Sequence, residues 1–150
     1  MSKKTHIPQT TPFHWEDVPV LAYKEDGGTH FKSITRQVLL GDDGDLGAEL
    51  RYFEIAPGGH STLERHDHAH SVMVIRGKGH ALVGSEVHAL ATNDLVRVPP
   101  QTWHQFRATS EAPLGFLCVV RSERDKPRRP SPEELAAIRA DPRAGPFIRV

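Results

Sequence analysis

Residues 57–79 read PGGHSTLERHDHAHSVMVIRGKG, and within them ERHDHAH (64–70) places one carboxylate and three imidazoles at every second position: Glu64, His66, His68 and His70. In an extended chain, side chains at i, i+2, i+4 and i+6 share one face. A strand over this stretch therefore aligns four metal-capable groups. The clustering strengthens the point, because five of the chain's ten histidines fall between His60 and His80.

Outward from this stretch, the segments FKSITRQVLL, AELRYFEIA, SVMVIRGKGHALV, SEVHAL, DLVRVP, HQFRAT and LGFLCVVRS are rich in Val, Ile, Phe and Leu and read as strands. GDDGDLG, APGG, VGSE, ATND and SEAP supply the Gly, Pro, Asn and Asp that reverse the chain between them. Many short strands without a long helical period predict an all-β antiparallel barrel or sandwich. It is expected over 31–122, behind an N-terminal arm or edge strand over 1–30 that covers the barrel edge of a partner subunit. After Ser122 the chain turns charged and proline-rich in SERDKPRRP, which reads as a connector. SPEELAAIRAD then carries a helix start, with Ser131 as N-cap, Pro132 in the first turn and Glu134 three residues after the cap. Residues 123–150 are thus expected to form a charged connector and a short C-terminal helix ending before Pro142.

A chain of 150 residues fits one domain with a full core. Nineteen Lys and Arg balance nineteen Asp and Glu, so no global field attracts nucleic acid or an anionic membrane. The first residues lack the apolar core of a secretory signal and no later run approaches a membrane span, which predicts a cytoplasmic protein. The single cysteine, Cys118, excludes an intramolecular disulfide and a Cys-rich zinc site. Any metal must be held by histidines and carboxylates.

A second cluster, NDLVRVPPQTWHQF (93–106), completes the pattern. Together the two clusters resemble the cupin family, whose first motif runs G-x5-H-x-H-x3,4-E-x6-G and whose second runs G-x5-P-x-G-x2-H-x3-N. From Gly58 the first motif falls on Glu64, His66, His70 and Gly77, with Glu and His exchanged between the outer positions. Starting from His66 and His68 instead puts Val72 in the acid position and loses the glycine turn. In the second motif Asn93 and Gln101 replace the two glycines, Pro99 and His104 match, and Ala108 replaces the terminal Asn. The resemblance implies a cupin jelly-roll β-barrel with one divalent metal ion at Glu64, His66, His70 and His104. His68 becomes a neighbour of the site, and His60, His80 and His88 are surface or turn residues. A His/Glu alternation can also decorate a solvated face, but the remote His104 behind a proline-rich turn argues against that here.

Three imidazoles and a carboxylate suit Mn, Fe, Co, Ni or Zn, and leave two positions open on an octahedral ion. The fold does not name the reaction. Arg36, Arg51, Arg97 and Arg107 lie on or near strands, and a guanidinium holds carboxylate or phosphate oxygens bidentately. Arg51, Arg36, Arg107 and Trp103 are the substrate-binding candidates. Cys118, in LGFLCVV, is either a core filler or, beside the metal, a nucleophile. The arrangement E-x-H-x3-H followed by P-P-x-x-W-H resembles small bacterial cupins of sulfur salvage, the methylthioxylulose 5-phosphate methylsulfurylase cupins. That resemblance implies manganese, a sugar phosphate substrate and a homodimer. It further implies thiol-dependent release of a methylthio group to give 1-deoxyxylulose 5-phosphate, with Cys118 taking part and glutathione as co-substrate. A non-haem Fe dioxygenase and a non-catalytic sensor that binds a metal and a small molecule remain open beside it.

Overall fold

The computed structural model describes residues 4–24, 28–41 and 45–150. The centre of the turn read at 41–47 lies outside these residues. Among the described residues eleven strands precede two short helices: β1 (Gln9–Thr11), β2 (His14–Trp15), β3 (Leu21–Ala22), β4 (Lys32–Leu40), β5 (Ala48–His60), β6 (His70–Gly77), β7 (Gly79–Val83), β8 (Glu86–Leu90), β9 (Leu95–Val98), β10 (His104–Ala108), β11 (Leu114–Arg121), α1 (Pro132–Ala140) and α2 (Ala144–Phe147).

Strands β3 to β11 form one curled antiparallel sheet in the order β8-β7-β10-β5-β11-β6-β9, with β4 also pairing β5 and β3 pairing β4. The long β5 is the spine, because it pairs with β4, β10 and β11. Alternation along each strand sends one side inward. Phe53, Val72, Val74, Phe106, Phe116 and Cys118 thereby meet in the interior. The opposite side of β5 presents Tyr52, on which Phe13 stacks at 5.7 Å and Trp15 sits edge-on at 5.4 Å. Phe13 and Trp15 of the N-terminal arm thus pack on an outer face of their own barrel, and β3 extends the sheet beyond β4.

A second apolar cluster, Leu63, Leu82, Ala144, Phe147 and Ile148, seals the helices to the outside of the barrel. Helix α1 begins as its sequence predicts: Ser131 Oγ accepts from Glu134 N at 3.2 Å, and Ser131 N donates to Glu134 Oε1 at 3.2 Å. The four-residue α2 is an addition the sequence reading missed.

Three expectations are corrected, the first being that APGG does not reverse the chain but lies within β5, which continues to His60. ERHDHAH is not one strand: Glu64 and Arg65 make single antiparallel bridges to His104 and Arg128, residues 66–69 turn, and only His70 joins β6. SVMVIRGKGHALV is two strands broken at Lys78, because Gly77 takes φ +68° and turns the chain. A Cβ at Gly77 would run into the Pro113 carbonyl oxygen, so both backbone angle and space demand glycine there. The motif positions where Asn93 and Gln101 replace glycine adopt the same left-handed backbone, with φ +78° and +54°.

Candidate metal centre

Three segments deliver the histidines. His70 opens β6, His104 opens β10, and His66 sits in the turn between the Glu64 bridge and β6. One ring nitrogen from each of His66, His70 and His104 lies within 4.8 Å of the other two. His66 Nδ1 donates to His68 O at 2.6 Å and His104 Nδ1 donates to Thr102 O at 2.9 Å. Each bond fixes its ring and leaves Nε2 with a free lone pair, the form in which imidazole binds metal.

His70 differs from the other two. Its Nε2 faces His104 Nε2 at 3.3 Å, and its Nδ1 lies 3.3 Å from Cys118 Sγ. Because a thiol can either donate or accept, the ring can carry its proton on Nδ1 and free Nε2. Burial drives the imidazolium forms down: His70 to about 2, with the neighbouring His104 adding to the effect, and His104 to about 4. His66 is lowered by burial as well. All three are therefore neutral at pH 7, and this donor set fits a divalent transition metal.

Glu64 lines the same cavity, paired with His104 across the bridge, but its carboxylate Oε2 is engaged by Lys24 Nζ at 2.6 Å. Three of the four expected ligands therefore converge and the fourth stands beside them in an ion pair. His68 lies flat on His66, with ring centroids 3.7 Å apart.

The cavity holds about 230 Å³. Arg36, Arg51 and Cys118 line it together with the histidines. Arg51 Nη2 donates to Cys118 Sγ at 3.3 Å. Burial pushes the Cys118 thiol up, while the Arg51 guanidinium pulls it down. The buried Nε atoms of Arg36 and Arg51 have no hydrogen-bond partner among the described residues. Tyr23, Lys24 and Arg124 also line the wall, and no motif in the sequence marked them. Burial raises the Tyr23 hydroxyl well above the usual phenol range.

Arg107, Trp103 and Arg97 are not brought to this cavity. Arg107 Nη1 donates to Phe147 O at 2.7 Å, and Trp103 lies between Arg65 and Arg128, 4.6 and 5.3 Å from its ring. Arg97 is exposed between the inward Val96 and Val98.

A curled antiparallel barrel with a histidine cluster inside, built from two strand-and-turn motifs, defines a cupin, and the chain belongs to the cupin family. Residues 51–120 match the model of the cupin domain. Over 141 residues, 94% of this chain and 90% of the relative, it is 54% identical to 1-methylthio-D-xylulose 5-phosphate methylsulfurylase of Rhodospirillum rubrum. Two solved structures are similar throughout. A cupin 2 conserved barrel domain protein from Rhodopseudomonas palustris superposes with TM-score 0.91 at 47% identity, covering 97% of this chain and 100% of that one. A cupin-2 domain protein from Rhodospirillum rubrum gives TM-score 0.84 at 53% identity, covering 95% and 94%.

Proposed function

We propose that this cupin is a metal-dependent enzyme that releases the methylthio group of 1-methylthio-D-xylulose 5-phosphate to give 1-deoxyxylulose 5-phosphate. The observation that carries the reading is one cavity holding three neutral imidazoles, a thiol and two guanidinium groups with unpartnered donors. The 54% identical relative that bears the methylsulfurylase name supports the choice of reaction.

In this reading His66, His70 and His104 would hold one divalent cation, manganese, with Glu64 as the fourth ligand. Bound there, such a cation would supply Lewis-acid polarisation of a substrate oxygen. Arg36 and Arg51 hold the phosphate, since buried guanidinium donors without partners call for an anion. The proposal assigns no substrate contact to Arg107 and Trp103, which do not line this cavity.

Cys118 is the nucleophile. Its sulfur bonds to the methylthio sulfur, the bond from that sulfur to the sugar carbon breaks, and the carbon takes a proton to become a methyl group. The methyl disulfide left on Cys118 is reduced by an external thiol, glutathione. Arg51 at 3.3 Å stabilises the thiolate that attacks. A buried, unpaired cysteine suits a reducing cytoplasm. The exposed Met73, Leu95 and Val119, on the outward side of neighbouring strands, support a homodimer.

The test is turnover of the methylthio sugar phosphate by protein loaded with Mn(II), with glutathione and without oxygen. Release of the methylthio group under those conditions is expected, with loss of turnover in Cys118→Ser. A strict requirement for Fe and O₂ would make the protein an oxygenase. Tight binding of unchanged ligand would make it a sensor.

A further inference from the structure

The segment between β11 and α1 runs beside the histidine cluster. Asp125 accepts three hydrogen bonds from the turn that carries His66: Asp67 N at 2.8 Å, His68 N at 3.1 Å and His68 Nδ1 at 2.8 Å. These donors, the Asp67 N–H first, hold the Asp125 carboxyl well below the usual carboxylate range. The carbonyl of the same turn, His68 O, is the acceptor that orients His66 Nδ1 at 2.6 Å.

The turn has a second tether at its start. Arg65 N donates to Arg128 O at 3.0 Å and Arg128 N to Arg65 O at 2.9 Å. Arg124, just before the first anchor, and Pro127, between the two, form part of the cavity wall.

From this geometry we infer that Asp125 is a positioning residue of the three-histidine centre, and that the connector is a wall of the site. The chain of contacts runs from the Asp125 carboxylate to the 67–68 backbone, from His68 O to His66 Nδ1, and so to His66 Nε2. A partner one step removed from a ligand usually alters metal affinity 10- to 100-fold when lost. His68 enters this chain through its backbone, so its side chain matters less than the Asp125 carboxylate.

The inference rests on the reading of the histidine cluster as a metal centre, and one titration separates the two. Mn(II) is titrated into metal-free wild-type protein, Asp125→Ala, Asp125→Asn and Arg128→Ala, followed by Mn(II) paramagnetic resonance, with the melting temperature of each metal-free protein recorded alongside. Wild-type protein that binds no Mn(II) would remove the metal centre itself. Given binding, Asp125→Ala is expected to weaken affinity about 10- to 100-fold and to alter the resonance spectrum. Its melting temperature should stay close to that of Arg128→Ala, which loses side-chain contacts to Glu134 and Trp103 but keeps the backbone tether to Arg65, so that its affinity is expected to match the wild type. Asp125→Asn, which keeps one acceptor oxygen, should fall between the wild type and Asp125→Ala. Wild-type affinity in Asp125→Ala overturns the inference, and so does an equal loss in Arg128→Ala, which would mean the connector acts only through general stability. Should Asp125→Ala not fold, Asp125→Asn carries the test, and wild-type affinity in that variant overturns it.

Discussion

His70 and His104 are ordinary histidines in an unfolded chain, titrating near 6.5, yet the barrel holds them neutral down to about 2 and about 4. Both shifts are downward, so between pH 6.5 and 4 the unfolded chain binds more protons than the folded one. Stability of the metal-free protein therefore rises with pH and is lost as pH falls through that window. Each group contributes on the order of 1.4 kcal/mol per pH unit. Urea unfolding of chelator-treated protein should show this slope, and His104→Asn should reduce it; an unchanged slope would mean His104 is not the group responsible. Metal analysis of single variants gives a second test. His66→Ala and His104→Ala should lose metal, while His68→Ala keeps it, because His68→Ala retains the carbonyl that holds His66. The sequence made these residues legible through spacing from Gly58 and Gly77. The placement of Arg107 was legible too: it stands three residues from the inward His104 on the same strand, an odd separation that sends its side chain to the opposite face. For Tyr23, Lys24 and Asp125 there was no comparable signal, since each reaches the site through a long-range contact that no local pattern encodes.

At the scale of elements, glycine positions divide by what surrounds them. Gly77 and Gly58 both have left-handed backbones, at φ +68° and +79°, but a Cβ at Gly58 meets nothing within 4 Å. Gly58→Ala should destabilise by about 1–2 kcal/mol, the conformational term alone. Gly77→Ala adds the collision with Pro113 and should cost roughly 3 kcal/mol or more. Chemical denaturation of the pair would expose the difference, and equal losses would show that the chain shifts freely at Pro113. The strand segments and the Ser131 cap were legible because hydrophobic composition and capping chemistry are local. The ERHDHAH stretch was misread as one strand because its alternation is a coincidence of sequence spacing. Its members reach the site from a bridge, a turn and a strand, a difference set by the Asp125 and Gln101 contacts rather than by propensity; Gln101 N donates to His66 O at 2.7 Å.

For the whole molecule, the convergence of the 66–70 stretch with the remote His104 means that a metal bound there would stabilise the fold. Mn(II) at about one hundred times its dissociation constant should add about 2.7 kcal/mol, raising the melting temperature by roughly 5–10 °C. The His66→Ala protein should show no such rise. A shift of equal size in that variant would place the bound ion elsewhere. The barrel class was legible from the rhythm of strands and turns. The N-terminal arm was not, because whether Phe13 and Trp15 cover Tyr52 of the same chain or of another depends on which surface lies within reach.

The spine strand β5 sets a limit on how this lineage can vary. Arg51 and Phe53 face inward, and Tyr52 between them faces the arm. Exchanging one residue for another at such a position changes one contact. Gaining or losing a single residue between Ala48 and Ile55 would turn every one of them over at once, withdrawing the guanidinium from the cavity and thrusting the Tyr52 phenol into its place. Descendants of this chain should therefore tolerate many spellings of β5 but only one length.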